Sequence, residues 1–453
     1  MSLKQRQALF IFFILVFLTA TPLISLYAIG YKIGSGFSFQ KTGMLILDTD
    51  PKGAKIHLDG KIRQDFFKRL YAEDQSYVRT PAKIKNLLPG TYDVLVELPG
   101  FWPWQKKLTV NPGQSTFAED INLFRKNIPE LLESGAFIET AISPGGRNLL
   151  TVKSSDDKTT FSLIDLENEN KEHFVASGSD NTVIGIWSPN GERVIAGGFI
   201  FRVDDWDDPI ALDRLIGHNI KNVRWDAING NRVFYESDEG IHYYDLSDNR
   251  EKTALVRSDP GDYLPKGDHL YFIKRETGST RLLIRRLSDD QPAGEINLPN
   301  SSYSFLNTER DIINLYDNLS GTLYLIDPFS AYKPLIETLR NIKVTHWVND
   351  NTLLCANDFE IWVFNPKNGK KILLTRISEP LSEVIWHPNN NNIIYVTKKS
   401  VNVIELDDRE KYNITKLIEL EKIERPILNK KGDILYFSAK IGNQEGIYKL
   451  YIQ

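Results

Sequence analysis

Asp204-Asp205-Trp206-Asp207-Asp208 sets four carboxylates within five residues, an oxygen-rich stretch of the kind that can wrap a Ca²⁺ ion. The competing reading is a solvated acidic loop, and it is preferred because like charges in a run usually face water. Asp48-Thr49-Asp50 before Gly53 faintly resembles the start of a calcium loop, but Asp59-Gly60 stands where the closing glutamate should be. A tight turn explains it better. Phe101-Trp102-Pro103-Trp104 offers different chemistry. Trp102 and Trp104 around a proline could stack on sugar rings or on a partner protein. The preferred alternative has Phe101 and Trp104 closing an apolar core, with Trp102 alone at the surface.

Other chemistry has little support. The seven histidines, at 57, 173, 218, 242, 269, 346 and 387, form no His-x-x-x-His or glutamate-paired zinc spacing. No Gly-x-Ser-x-Gly elbow and no phosphate- or dinucleotide-binding glycine loop occurs, so no cofactor is expected. The single cysteine, Cys355, sits in the strand-like run Thr352-Leu-Leu-Cys-Ala-Asn and reads as a small buried hydrophobe. A net charge of −4 and a pI near 6.1 leave no basic excess to neutralise phosphates, which argues against nucleic acid as a partner.

What would position any site is a repeat. Eight times an apolar strand end runs into a polar turn, at Ile142, Trp187, Trp225, Leu264, Phe305, Trp347, Trp386 and Leu428. The spacings are 45, 38, 39, 41, 42, 39 and 42 residues, close to the length of one four-stranded propeller blade. Direct count predicts eight blades, or seven if the ragged stretch Arg202–Leu215 keeps the second repeat from forming a full sheet. The last repeat offers only three strands, and residues 127–133 are available to complete it. Trp187, Trp225, Trp347 and Trp386 recur at one repeat position and are expected to pack. Trp187-Ser-Pro-Asn-Gly resembles TolB-like repeats more than the WD type, because no Gly-His…Trp-Asp pair recurs; His218 after Gly217 stands alone.

Ahead of the repeats, Leu9 to Ile29 is 21 residues without a charge, about 31 Å as a helix. Lys4 and Arg6 precede it, so the positive-inside rule keeps residues 1–8 cytoplasmic and exports the rest. An uncleaved anchor over 9–31 is preferred to a cleaved signal peptide, whose apolar core is usually shorter and ends at small residues. Tyr27 and Tyr31 suit the outer interface, and a linker is expected over 32–41.

Residues 42–124 read as short alternating strands between strong turn signals. Tyr92, Val94, Val96 and Leu98 alternate, as do Leu108 and Val110. Pro51-Lys52-Gly53-Ala54, Leu58-Asp59-Gly60, Thr80-Pro81, Leu88-Pro89-Gly90-Thr91-Tyr92 and Gly100-Phe101 resemble the PEGA domain. Lys52 replaces the family's glutamate, and residues 61–79 look like an insertion in which Phe66 to Tyr71 would form a turn or two of helix. The resemblance implies a small surface β-sandwich with no catalytic residues. The order anchor, PEGA-like module, propeller is similar to that of predicted bacterial envelope proteins.

The expectation is therefore an all-β chain: an N-terminal transmembrane helix, a PEGA-like sandwich over 42–124, and a propeller over 125–453. Its expected role is that of a non-enzymatic, single-pass protein of the cytoplasmic membrane, with its bulk outside, binding an envelope protein or polysaccharide. The rival is an enzyme with a metal-assisted, lactonase- or lyase-type site in the propeller channel, which leaves no local motif.

Overall fold

A computed structural model describes residues 3–34, 38–64, 77–155, 157–177, 184–217, 220–256, 261–306, 310–330 and 332–453. The expected helical turns at Phe66–Tyr71, and His218, lie outside them. The chain divides into two compact units: residues 1–127, 403–417 and 452–453, and residues 128–402 and 418–451.

The first unit begins with a helix, Leu3–Ala28, that carries Pro22 in its interior. Residues Gln5–Ala28 are long and apolar enough to cross a membrane, a test that a signal sequence also passes. Gly30, at φ +93°, ends the helix by donating to the Tyr27 carbonyl at 3.0 Å. The stretch expected as a linker instead carries a hairpin, Tyr31–Ile33 against Phe39–Lys41.

The sandwich follows from period-two burial. Strand Gly43–Asp50 pairs antiparallel with Ala82–Leu87 and parallel with Ser115–Asn122. The second sheet runs Lys61–Ile62, Lys55–Leu58, Gly90–Glu97, Trp104–Val110. Leu45, Leu47, Ile56, Val94, Val96, Leu108 and Val110 form the core between them.

Among the described residues, the repeats form eight four-stranded sheets that follow one another along the chain, and most of the second unit is built from them. The first strands of several successive sheets adjoin, as in a radial arrangement. Apolar clusters join neighbours: Leu150, Phe161 and Phe201 between sheets one and two, Tyr243 and Phe272 between three and four, Leu323 and Trp362 between five and six. Leu149 and Ile164 of the first sheet pack against Tyr436 of the eighth, so the series returns to its start. The eighth sheet takes its edge strand from Glu130–Ser134, which pairs with Gln444–Tyr451.

Repeat two does form four strands: Ile186–Trp187, Arg193–Ala196, Phe199–Arg202 and Asp205–Ala211. Aromatic packing compensates for its irregular sequence. Trp206 stacks on Phe201 with ring centroids 4.5 Å apart, and Phe161 lies 5.1 Å from Phe201. In repeat four the anchor position shifts by one residue. Pro265, not Leu264, pairs with Leu270 as Trp225 pairs with Val233.

Candidate functional site

In repeats three and seven the residue after the anchor is a buried polar group that ties its turn to the next sheet. Asp226 accepts the Gly267 N–H at 3.0 Å. His387 bonds the Gly432 carbonyl at 2.8 Å through Nε2, while its Nδ1 accepts the Asn389 N–H at 3.2 Å. That arrangement requires the neutral imidazole with its proton on Nε2, and burial holds His387 below the ordinary histidine value. Gly432 is glycine for two reasons: its φ is +83°, and a Cβ would lie 2.8 Å from the His387 ring. Arg224 pairs with Asp262 at 2.8 Å, and Asp262 accepts the Phe305 N–H at 2.7 Å, linking sheets three, four and five.

Against this frame lies a cleft of about 1040 Å³ where the first strands of sheets five to seven meet, lined by Leu306, Arg310, Asp311, His346, Trp347, Asp350 and Glu383. A neighbouring hollow of about 890 Å³ shares Leu306, Lys343 and Thr345 with it and adds Tyr316, Asp358 and Phe359. The charges on its walls are largely paired. Arg310 bonds Asp350 and lies 5.4 Å above the Trp347 ring, and Lys343 reaches Asp358 at 2.7 Å and the Leu381 carbonyl at 2.6 Å. Trp347 donates to Asn314 at 3.2 Å.

Two groups in the cleft titrate away from their ordinary values. Water reaches His346, but the surrounding protein strips much of its solvent shell and lowers its pKa, with Arg310 adding to the effect. Burial raises the Glu383 carboxyl, opposed by the Val384 N–H and Lys343. Such pairs, shifted in opposite directions, mark candidate ligand or proton-transfer sites. Sequence reasoning passed over this cleft because its residues come from three repeats.

The residues singled out in the sequence are placed elsewhere. Trp104 is 7% exposed within the sandwich core, and its indole N–H donates to Glu405 at 2.9 Å. It has no open ring face to offer a sugar. Trp102 is half-buried, with the Lys126 ammonium 4.8 Å from its ring. The four aspartates do not converge. Asp204 is in an exposed turn, Asp205 pairs with Arg202, and Asp207 and Asp208 point to opposite sides of their strand with Trp206 buried beside them. Among the described residues, no group of three or more His, Cys, Asp or Glu side chains could hold a metal ion. Cys355 is fully buried, which pushes its thiol up to about 12.

The first unit holds one feature that the sequence did not reveal. Lys106 occupies the inward register between Trp104 and Leu108 and is 1% exposed. Its ammonium meets Glu405 at 3.0 Å, Asp407 at 3.3 Å and the Asp407 carbonyl at 2.6 Å.

Residues 69–124 match the family described as the PEGA domain. The PEGA assignment agrees with the turn phrases Leu88-Pro89-Gly90 and Gly100-Phe101. No curated protein matches the chain. Among solved structures, the chain is similar to one from a mitotic checkpoint complex (12% identity, 70% of this chain and 93% of that one, TM-score 0.37). It is also similar to a eukaryotic initiation factor (10%, 70% and 86%, 0.48) and to the β-propeller domain of Cps50 (Swd1) from Myceliophteria thermophila (14%, 72% and 99%, 0.40). At such scores and identities none of the three bears on function, and the architecture rests on the strand pairing above.

Proposed function

We propose that this chain is a non-enzymatic envelope protein, held at the cytoplasmic membrane by its N-terminal helix and binding a protein or cell-surface glycan through its propeller. The observation that carries the reading is the open double hollow on sheets five to seven. Apolar Leu306 and Phe359 lie there beside charges that are already paired, Arg310 with Asp350 and Lys343 with Asp358. A surface of mixed polarity on a rigid ring suits recognition more than bond breaking. The eight sheets serve as eight blades in this reading. The uncharged helix and the PEGA domain fit a surface-held scaffold.

The test uses the full chain in detergent micelles, screened against isolated envelope polysaccharides and solubilised envelope proteins. A ligand retained by the native protein and lost on Thr345→Trp, which fills the cleft, is the expected result. Retention of neither class, or retention unaffected by Thr345→Trp, defeats the reading.

A second reading, an enzyme acting in the same cleft, is favoured by one observation: His346 and Glu383 line it together with pKa values displaced in opposite directions. Stoichiometric metal in the purified protein, or turnover of a lactone or uronide abolished by Glu383→Gln, would establish it in place of the first.

A further inference from the structure

We infer that the hairpin Tyr31–Ile33/Phe39–Lys41 is a second membrane contact, seating an apolar face in the outer headgroup region of the bilayer that the helix crosses. This rests on the anchor reading above.

Ile33 and Phe39 are direct cross-strand partners, so their side chains share one face of the ribbon. They are 54% and 50% exposed. A two-stranded ribbon is marginal in water and needs something to cover its apolar face. The occupant is identified by continuity. The membrane-crossing stretch ends at Ala28, Ile29 beside it is 67% exposed, and the first hairpin strand starts three residues later, adjoining the helix end. At about 3.3 Å per residue, Ile33 lies at most roughly 17 Å from the helix end, and the interfacial zone begins where the helix leaves hydrocarbon.

The position is also fixed. Thr42 donates to the Gly30 carbonyl at 2.7 Å through both its N–H and its hydroxyl, and Asn86 donates to the Tyr27 hydroxyl at 3.3 Å. The helix end, hairpin and sandwich are thus pinned to one another, and the ribbon cannot swing freely away from the bilayer surface. Lys41, two positions from Phe39, shares the face of the apolar pair, while Lys32 lies on the opposite one. A basic residue beside an apolar face suits anionic headgroups.

The experiment reconstitutes the full chain, on a Cys355→Ala background, in vesicles of phosphatidylcholine and phosphatidylglycerol. A polarity-sensitive fluorophore is placed by Ile33→Cys, Phe39→Cys, Leu18→Cys or Tyr332→Cys. Tyr332 is fully exposed and serves as the aqueous reference. The expected result is at least twofold stronger quenching by shallow spin-labelled lipid at 33 and 39 than at 332, with weaker quenching by aqueous iodide. Labels at 33 and 39 that behave like 332, while 18 is quenched by lipid, overturn this inference and leave the anchor standing. If 18 also behaves as aqueous, or the purified chain starts beyond residue 31, both fall. Ile33 and Phe39 are surface residues, so these replacements spare the core.

Discussion

The indole Nε1 of Trp225 donates to the carbonyl of Ile186 in the preceding sheet at 2.9 Å, and Trp187 repeats the bond one sheet earlier, to Ala141 at 3.0 Å. The accepting residue in each case lies immediately before that sheet's own anchor, so the repeat position of the tryptophan encodes a strap between neighbours. Trp386 departs from the rule and donates to Asn390 in its own turn at 2.9 Å. Trp225→Phe keeps the ring but orphans a carbonyl between sheets, and should cost about 1–2 kcal/mol. Trp386→Phe should cost about 0.5 kcal/mol or less. Urea unfolding of the two variants side by side checks the ranking.

His387 makes acid a specific threat. Its folded-state pKa lies below the ordinary 6.5, so the unfolded chain binds the proton first as pH falls. The stability that His387 supplies is present above that ordinary value and lost below it. His346 acts in the same direction. Melting temperature should therefore drop between pH 7 and pH 5, and the drop should be smaller in His387→Gln.

Glu383 has the opposite sign. Its folded-state pKa is raised above the ordinary 4.5, so the folded chain keeps a proton that the unfolded chain has released. Ionisation then costs stability as pH rises through the folded value. Glu383→Gln should melt higher than the native protein at pH 7, with the gap closing below about pH 4.5. Thermal scans at the two pH values decide it.

Removing the Lys106 ammonium would leave Glu405 and Asp407 facing one another with their shared cation gone. Burial alone would push Asp407 up, but Arg409 and Lys106 outweigh it and hold the carboxyl below its ordinary value. Lys106→Met should cost about 3–5 kcal/mol, the usual consequence of breaking a buried pair from one side. Calorimetry of the variant against the native protein measures the shift.

Cys355 should resist alkylation by iodoacetamide in the folded protein and react fully in guanidinium. A thiol that is 0% exposed and pushed up to about 12 offers neither access nor thiolate. Mass spectrometry before and after denaturation reads this directly.

The features legible in the sequence were those with a local period. Alternation marked the sandwich strands, and the anchor-and-turn phrase marked the sheets, because each reports a contact made within a few residues of itself. Lys106 was illegible for the converse reason: its partners at 405 and 407 lie some 300 positions away, and a lysine in an alternating strand looks like its solvent face. The cleft was hidden likewise, since Arg310, His346 and Glu383 belong to separate repeats. For Trp104 the sequence left two readings, because an aromatic doublet around proline looks the same whether its rings face out or close a core; the buried position found is the one the sequence reading preferred. The hairpin at 31–41 escaped because its Gly-Ser composition reads as linker.

The pairing of Glu130–Ser134 with Gln444–Tyr451 sets a timetable for biosynthesis. Residues 134 and 444 are 310 positions apart, a stretch that a ribosome adding ~5–20 residues per second covers in roughly 15 to 60 s. Through that interval the early strand has no mate, and its bare edge is open to chaperones or to another nascent copy.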